Sequence, residues 1–265
     1  MRWIVLADGV FARRHVELDL TLGLVVGSER CLVIDTGTDE VHGAVFAAAV
    51  RAITPLPWTV VITHAHWDHF LGTGAFLPAP VYAHPRCGEV ITADGAAQVT
   101  EWAQRYRAEG KPELAGRLEG ARRLLPDRAV DPTVALDLGG RTVTLIHADR
   151  GHTDHDVLVH VPDAAVVFAG DTVEQGASPS VGPDSALAAW PALLDAVLDL
   201  APGVVVPGHG EPVDVAFVRT QRAELATVAA LAADVGRGVL TVEQAIARSP
   251  WPAEATGQAI HATAS

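Results

Sequence analysis

The sequence predicts a mixed α/β fold with polar side chains gathered at the ends of its strands. Apolar, β-branched runs typical of buried strands recur along the chain, and the run at 58–62 leads directly into a histidine-rich loop. Segments with apolar residues at helical spacing lie between the strands, as over 185–200. Strands that alternate with helical patterns are typical of a layered α/β architecture.

The order of the elements follows from the same patterns. Residues 2–35 are predicted to form strands joined by short turns, which end at Asp35. Further strands are predicted at 58–62, at 81–84, between 134 and 168, and at 204–206. Helices are predicted at about 39–52, 92–125, 185–200 and 213–233. The tail beyond Ser249 is rich in alanine and threonine and is expected to fray.

The loop after residue 62 concentrates metal-binding side chains. His64, His66, Asp68 and His69 fall within six residues, and burying them without compensation would cost several kcal/mol. Imidazole nitrogen and carboxylate oxygen are common ligands of zinc. In an extended loop His64 and His66 point to the same side, whereas Asp68 and His69 follow a turn and can face a neighbouring ion. The spacing therefore favours two metal ions over one.

Three more candidate ligands each follow a strand-like run. They are His152 in a Gly-His-Thr sequence, Asp171 in Gly-Asp and His209 in Pro-Gly-His-Gly. A glycine beside each of them lets the backbone turn sharply where the strand ends. Ligands delivered from the same ends of several strands converge in one crevice, which is the usual place for sites in layered α/β proteins.

The ordered motifs HAHWDH, GHT, GD and PGHG, spread over roughly residues 30–210, resemble those of the metallo-β-lactamase superfamily, with a ligand set similar to that of glyoxalase II. The resemblance implies a four-layer αββα sandwich with the site at one edge of the two sheets. It assigns His64, His66 and His152 to a first metal, Asp68, His69 and His209 to a second, and Asp171 to a bridge between them. Asp35 matches an aspartate that supports the metal loop by hydrogen bonding.

Residues near the ligands depart from the glyoxalase II-like pattern. The stretch 151–156 reads GHTDHD where those members have GHTPG. Asp156 is predicted to support the site, either through a hydrogen bond to a ligand histidine or in a purely structural role. His155 could face the pocket, but a solvated loop position is the favoured interpretation. Trp67 is expected to be a packing residue, and it replaces the glutamate of the di-iron flavoproteins that share this fold.

Two closely spaced cations can hold a bridging water and lower its pKa towards neutrality. The sequence therefore predicts a hydrolase with two zinc ions per chain, in which a metal-bridging hydroxide attacks an ester, thioester or lactone. Asp68 and Asp171 are the predicted catalytic residues, because each could orient that hydroxide. Iron or manganese in place of zinc stays open.

Other functions stay open at this point. Persulfide dioxygenases resemble the same motif set with one iron, which here would be bound by His66 or its neighbour, His152 and Asp171. A β-lactamase-like amide hydrolase is a further alternative, disfavoured because true metallo-β-lactamases lack a bridging aspartate at the Gly-Asp position and normally act outside the cytoplasm. Glyoxalase II-like thioesterases carry basic residues for glutathione near the C-terminus, where Arg219 and Arg222 are candidates by position alone. A metal-stabilised binding protein without catalysis is the least favoured reading.

Composition sets broader expectations. The chain of 265 residues carries a net charge of −13 without a basic stripe, which disfavours nucleic acid and leaves a small-molecule substrate. Cys31 and Cys87 lack a metal-type spacing. No segment approaches the ~18 apolar residues of a membrane helix, and no signal peptide is apparent, so no membrane association and a cytoplasmic location are expected.

One domain is predicted over 1–265, because no linker-like or repeated segment interrupts the chain. Its helical insertion at about 92–125 is predicted to form either a lid or one wall of the substrate pocket, or only to pack on the outer layer. The oligomeric state is not predicted.

Overall fold

The computed structural model describes residues 2–263 and contains two sheets that pack against each other, with helices on both outer faces. Met1, Ala264 and Ser265, which the predicted domain over 1–265 includes, lie outside the described residues. The seven strands of the first sheet follow the chain order: β1 Arg2–Ala7, β2 Val10–Arg14, β3 Thr21–Val26, β4 Cys31–Ile34, β5 Trp58–Val61, β6 Val81–Ala83 and β7 Arg128–Ala129. The first four strands are antiparallel, and β4 to β7 run parallel.

The second sheet has the order β12-β11-β10-β9-β8. Its strands are β8 Thr133–Asp137, β9 Thr142–Ile146, β10 Leu158–Val161, β11 Val166–Glu174 and β12 Val204–His209. The pair β11 and β12 is parallel, and the other neighbours are antiparallel. Side chains from both sheets, among them Ile34 and Phe168, form the core between them.

The first outer layer consists of α1 Glu40–Ile53, α3 Pro85–Ala108 and α4 Pro112–Gly120, with the short α2 Trp67–Phe70 at the strand ends. Helix α1 matches its predicted range, because the Asp39 carboxylate accepts hydrogen bonds from two backbone N–H groups of its first turn. The segment predicted as helical over 92–125 begins earlier, at Pro85, since proline suits the first turn of a helix. It consists of two helices, and residues 121–127 are not helical.

The second outer layer consists of α5 Trp190–Asp199, α6 Val215–Gly236, α7 Val242–Ile246 and α8 Ala253–Thr263. Helix α5 was predicted from residue 185, but the preceding turn contacts the 151–152 segment instead: Ala186 N–H donates to the Gly151 carbonyl. The fraying predicted beyond Ser249 is wrong for residues 253–263. Helix α8 packs into the core because Ala259 and Ile260 are buried in the cluster beneath the second sheet.

These four layers give the αββα sandwich predicted for the chain. The ends of β4, β5, β11 and β12 lie at one edge: β4 leads into Asp35, and the other three lead into or contain predicted ligand positions. Strand β11 continues through Asp171 to Glu174 instead of ending near residue 169, with an irregular register at Gly170. Among residues 2–263, no helix is long and apolar enough to cross a membrane.

The buried position of α8 makes a measurable prediction about stability. Ile260 is 3% exposed, so Ile260→Ala is expected to lower the free energy of unfolding by about 2–5 kcal/mol in urea denaturation. Ile53 is 36% exposed at the end of α1, and Ile53→Ala serves as the matched control, with an expected loss of under about 1 kcal/mol. Equal losses in the two variants would show that α8 is not part of the cooperative fold.

Candidate metal centre

Asp35 joins the ends of the neighbouring parallel strands β4 and β5. Its carboxylate accepts hydrogen bonds from the Thr63 backbone N–H at 2.8 Å and from the Thr63 hydroxyl at 2.8 Å. It also accepts from His69 Nδ1 at 2.8 Å, which leaves His69 Nε2 facing the other candidate ligands. Asp35 therefore makes the supporting contact that the sequence predicts and fixes the tautomer of His69.

The structure brings all seven predicted ligands together in two adjoining groups. The ligand atoms of His64, His66, His152 and Asp171 lie within 4.8 Å of one another, as do those of Asp68, His69 and His209. The first set comes from three separate parts of the chain and the second set from two. This is the division that the resemblance implies for two metals.

Asp171 lies between the two groups. In the first group its Oδ2 is 3.7 Å from His64 Nε2 and 3.6 Å from His152 Nε2. In the second group its Oδ1 is 3.2 Å from His69 Nε2, and its Oδ2 is 3.3 Å from His209 Nε2. A single carboxylate thus reaches donors of both groups.

The buried atoms at the centre lack protein partners. His64 Nε2, His69 Nε2 and Asp171 Oδ1 are buried without a hydrogen bond. Buried polar atoms of folded proteins are almost always satisfied, so three such atoms converging on one point indicate a missing partner. Imidazole nitrogens and a carboxylate oxygen share one suitable partner, a divalent cation.

Electrostatics favour a cation at the same place. Burial alone would lower the pKa of His69, but the Asp171, Asp68 and Asp35 carboxylates raise it well above its usual value. Burial and the neighbouring His69 lower the pKa of His64 well below its usual value, which keeps His64 neutral. Neutral imidazole is the form that binds metal. The residues present therefore fit two cations held by imidazole and carboxylate groups.

The outer nitrogens of two ligand histidines are held by backbone carbonyls. His209 Nδ1 donates to the Leu18 carbonyl at 2.8 Å, and His152 Nδ1 donates to the Ser180 carbonyl at 3.2 Å. Each hydrogen bond turns the opposite nitrogen, Nε2, towards the centre. The Leu18 carbonyl belongs to the turn between β2 and β3, so this turn is part of the site.

Asp184 contacts a candidate ligand in a way that the sequence does not predict. It accepts a hydrogen bond from His66 Nε2 at 3.0 Å, so that His66 offers Nδ1 to the centre. Burial would raise the pKa of Asp184, but His66 lowers it to about 2. It lies 118 residues from His66 in an irregular loop, and no local spacing connects the two.

Glu174 and Gln98 were also missed. Glu174 is buried, and burial together with the nearby Asp171 raises its pKa to about 8. Its carboxylate accepts from the Ser180 backbone N–H at 2.7 Å and thereby holds the turn that supplies a carbonyl to His152. Gln98 of α3 accepts from Trp67 N–H at 3.0 Å and donates to the Ala65 carbonyl at 3.1 Å, which clamps the metal loop.

The solvated position predicted for His155 is wrong. His155 is buried, accepts a hydrogen bond from the Ala65 backbone N–H at 3.0 Å and donates to Asp154 at 2.8 Å.

Asp156 accepts hydrogen bonds from the Thr153 backbone N–H at 2.9 Å and from the Thr153 hydroxyl at 2.6 Å, and it makes no hydrogen bond to a candidate ligand histidine. Of the two roles predicted for Asp156, the structural one is therefore correct. Burial raises the pKa of Asp156 to about 7.

Glycine at position 208 is required by a close approach. A Cβ atom there would lie 1.8 Å from Asp171 Oδ1, so no side chain can be accommodated beside the central carboxylate.

Of the other predicted features, Trp67 is a packing residue, buried with its ring centroid 5.0 Å from that of Trp102. Arg222 pairs with Asp195 between the outer helices α6 and α5.

The family model for the metallo-beta-lactamase superfamily matches residues 21–209 of this chain. The chain therefore belongs to the metallo-β-lactamase superfamily. It is 29% identical over 229 residues to the acyl-coenzyme A thioesterase MBLAC2 of Bos taurus, covering 77% of this chain and 79% of that protein. The MBLAC2 of Gallus gallus is 28% identical over 160 residues, covering 58% of this chain and 57% of that protein.

Similarity extends to the β-lactamases of the superfamily. The metallo-beta-lactamase type 2 of Bacillus cereus is 23% identical over 215 residues, covering 79% of this chain and 73% of that protein. Among solved structures, a metallo-beta-lactamase from Pontibacter korlensis superposes with a TM-score of 0.66 at 18% identity, over 84% of this chain and 98% of that chain. The structural similarity supports the fold, and family and relatives together make the chain a metal-dependent hydrolase.

The Asp35 hydrogen bonds make a prediction about metal affinity. Asp35→Asn keeps the size of the side chain but removes one acceptor from His69 or Thr63, so zinc affinity is expected to fall about 10–100-fold. Competition with a chromophoric chelator measures the change. Asp163→Asn, at an exposed ion pair with Arg141, is the matched control and should leave the affinity unchanged. An Asp35→Asn affinity equal to the control would contradict the supporting role.

Proposed function

We propose that this protein is a binuclear zinc hydrolase that cleaves an acyl thioester or a related ester or lactone. The observation that carries the proposal is the position of Asp171 within 3.3 Å of His69 and His209 and within 3.7 Å of His64 and His152. Each group also contains its own three further ligands, so both are complete. Similarity to the MBLAC2 thioesterases over 77% of the chain supports the thioester as the first substrate class.

When bound at these residues, two zinc ions would supply Lewis acidity and a water of lowered pKa. His64, His66 and His152 would hold the first ion, Asp68, His69 and His209 the second, with Asp171 between them. The Asp68 carboxylate lies 3.6 Å from His69 Nε2 and 3.3 Å from His209 Nε2, so it could orient a water held by an ion at these residues. Burial raises its pKa, but His69 and His209 outweigh burial, so Asp68 is ionised and can accept a hydrogen bond or a proton.

The helical segment α3–α4 would form a fixed wall of the substrate pocket. Tyr106, Leu114 and Leu118 line a cavity that Trp67 of the metal loop also lines. Ile91 of α3 is buried in the core of the first sheet, which holds the segment in place. Of the roles predicted for the insertion, this arrangement supports a wall of the substrate pocket. It also supports a small molecule as the substrate.

Iron chemistry of the persulfide dioxygenase kind would need only one of the two groups. The second complete group, Asp68, His69 and His209, therefore favours the binuclear hydrolase. Because imidazole and carboxylate ligands also suit manganese and iron, the metal must be measured directly.

The decisive experiment combines metal content with turnover. Elemental analysis by plasma mass spectrometry is expected to give two zinc ions per chain, and a panel of acyl-coenzyme A thioesters, lactones and esters is expected to show hydrolysis. Asp68→Ala should lower kcat about a hundredfold or more, because the reacting water loses its acceptor. Asp163→Ala, at a surface ion pair, is the control and should retain full activity.

Either of two results would contradict the proposal. About one iron per chain together with oxygen uptake on a persulfide would establish the dioxygenase instead. Unchanged turnover of Asp68→Ala with the metal retained would refute the hydrolytic mechanism.

A further inference from the structure

Ala65 separates two candidate ligands of the first group. The rings of His64 and His66, on either side of it, have centroids 4.6 Å apart and planes at 83° to each other. Ala65 is buried in an irregular segment between β5 and α2, so its backbone N–H and carbonyl need partners within the protein. Gln98 donates to the carbonyl at 3.1 Å, and the N–H has a different partner.

That partner is His155, from the segment that follows the ligand His152. His155 is fully buried, and its Nε2 accepts a hydrogen bond from the Ala65 N–H at 3.0 Å. Two residues further on, the Val157 N–H donates to the carbonyl of residue 63 at 2.9 Å. The segment 155–157 therefore holds the backbone on both sides of His64.

The rotation of each ligand ring is fixed by other contacts. His64 Nδ1 donates to the Thr63 hydroxyl at 3.0 Å, and His66 Nε2 donates to Asp184 at 3.0 Å. These hydrogen bonds determine how each ring is turned. The position of one ring relative to the other depends in addition on the backbone at Ala65, which His155 holds.

Asp154 fixes the tautomer of His155 on which this contact depends. The Ala65 N–H can only donate, so His155 Nε2 must be unprotonated. The Asp154 carboxylate accepts from His155 Nδ1 at 2.8 Å, which keeps the single proton on Nδ1. Burial lowers the pKa of His155 and keeps the ring neutral, although Asp154 opposes the shift.

Arg86, in the first turn of α3, holds Asp154 in turn. Its Nε and Nη2 lie 3.2 Å and 3.0 Å from the carboxylate oxygen that His155 does not bind. The side chains of Arg86 and Asp154 are 51% and 34% exposed, so this series of hydrogen bonds runs from the surface to the metal loop. Asp154 and His155 stand where the pattern GHTPG has proline and glycine, which could not make these contacts.

We propose that His155 is a positioning residue for a metal ion at the first group, because it fixes the backbone between His64 and His66, and that Asp154 and Arg86 hold His155 in the required tautomer. The proposal rests on the metal centre of the proposed function and is independent of which bond is cleaved. Within residues 2–263, no hydrogen bond joins His155 to Asp68, His69 or His209, so its effect is confined to the first group.

The test measures the zinc affinity of each group in a protein whose other group is disabled. In a His209→Ala protein, competition with a chromophoric chelator reports on the first group, and in a His152→Ala protein it reports on the second. Adding His155→Leu is expected to weaken zinc binding at the first group by about tenfold or more, because the Ala65 N–H loses its acceptor. Zinc binding at the second group should be unchanged.

Three further variants separate positioning from packing. His155→Gln offers an amide oxygen to the Ala65 N–H and should restore most of the affinity of the first group. Asp154→Ala leaves the ring in place but no longer fixes its tautomer, so a smaller loss confined to the first group is expected. Because Asp154 is partly exposed, this variant also decides the question if His155→Leu does not fold. His160→Leu on β10 is the control and should change neither affinity.

Equal losses at both groups in His155→Leu would overturn the positioning role, because they would show a general loss of structure. A first group that binds zinc unchanged in both His155→Leu and Asp154→Ala would overturn it as well.

The outcomes also distinguish this proposal from the proposed function. A loss confined to the first group, in a protein that hydrolyses no thioester, ester or lactone, would support the positioning role and refute the hydrolase. Hydrolysis by a protein whose first group binds zinc equally well with and without His155 would do the reverse. A first group that binds no zinc in the His209→Ala protein would refute both.

Discussion

The confinement of five imidazoles and two carboxylates at one buried edge of the sandwich is the constraint on which this structure depends. Without a cation, His64 Nε2, His69 Nε2 and Asp171 Oδ1 face one another with no partner, and burial makes such unpaired atoms expensive. Three features of the local structure hold these side chains together. Parallel strands end together at the edge, glycine at 208 admits the central carboxylate, and Asp35 links two strand ends to a ligand.

Three of the candidate ligand histidines are also held by hydrogen bonds to other parts of the chain. His209 is held by the turn between β2 and β3, His152 by the Ser180 carbonyl, and His66 by Asp184. Segments outside the regular strands and helices are thereby joined to the candidate metal centre. If these residues hold metal, its binding is expected to depend on the order of these segments, because releasing any of these contacts frees a candidate ligand ring to rotate.

Much of this arrangement could be predicted from the sequence because the ligand motifs are short and follow strand-like runs. The mixed α/β class and the seven candidate ligands follow from such local patterns, whereas the four layers and the role of Asp35 follow from the family resemblance that these motifs carry. What could not be predicted depends on distant pairing. Nothing near His155 indicates that it supports Ala65, 90 residues away, and nothing near Asp184 indicates its contact with His66. The prediction that the tail frays was wrong for helix α8, because its alanine-rich composition gives little sign of a buried face. The burial of Ile260 depends on packing against α6 and its neighbours.

The turn between β2 and β3 holds His209 through Leu18 and lines the neighbouring cavity through His15 and Glu17. Arg14 pairs with Asp19 and Glu211 and ties both ends of this turn to the segment after His209. A change of this turn during evolution towards a new substrate would also disturb His209, a candidate metal ligand. Helix α4 contributes Leu114 and Leu118 to the same cavity and contains none of the seven ligands. Divergence of specificity should therefore accumulate on α4, while the turn changes slowly.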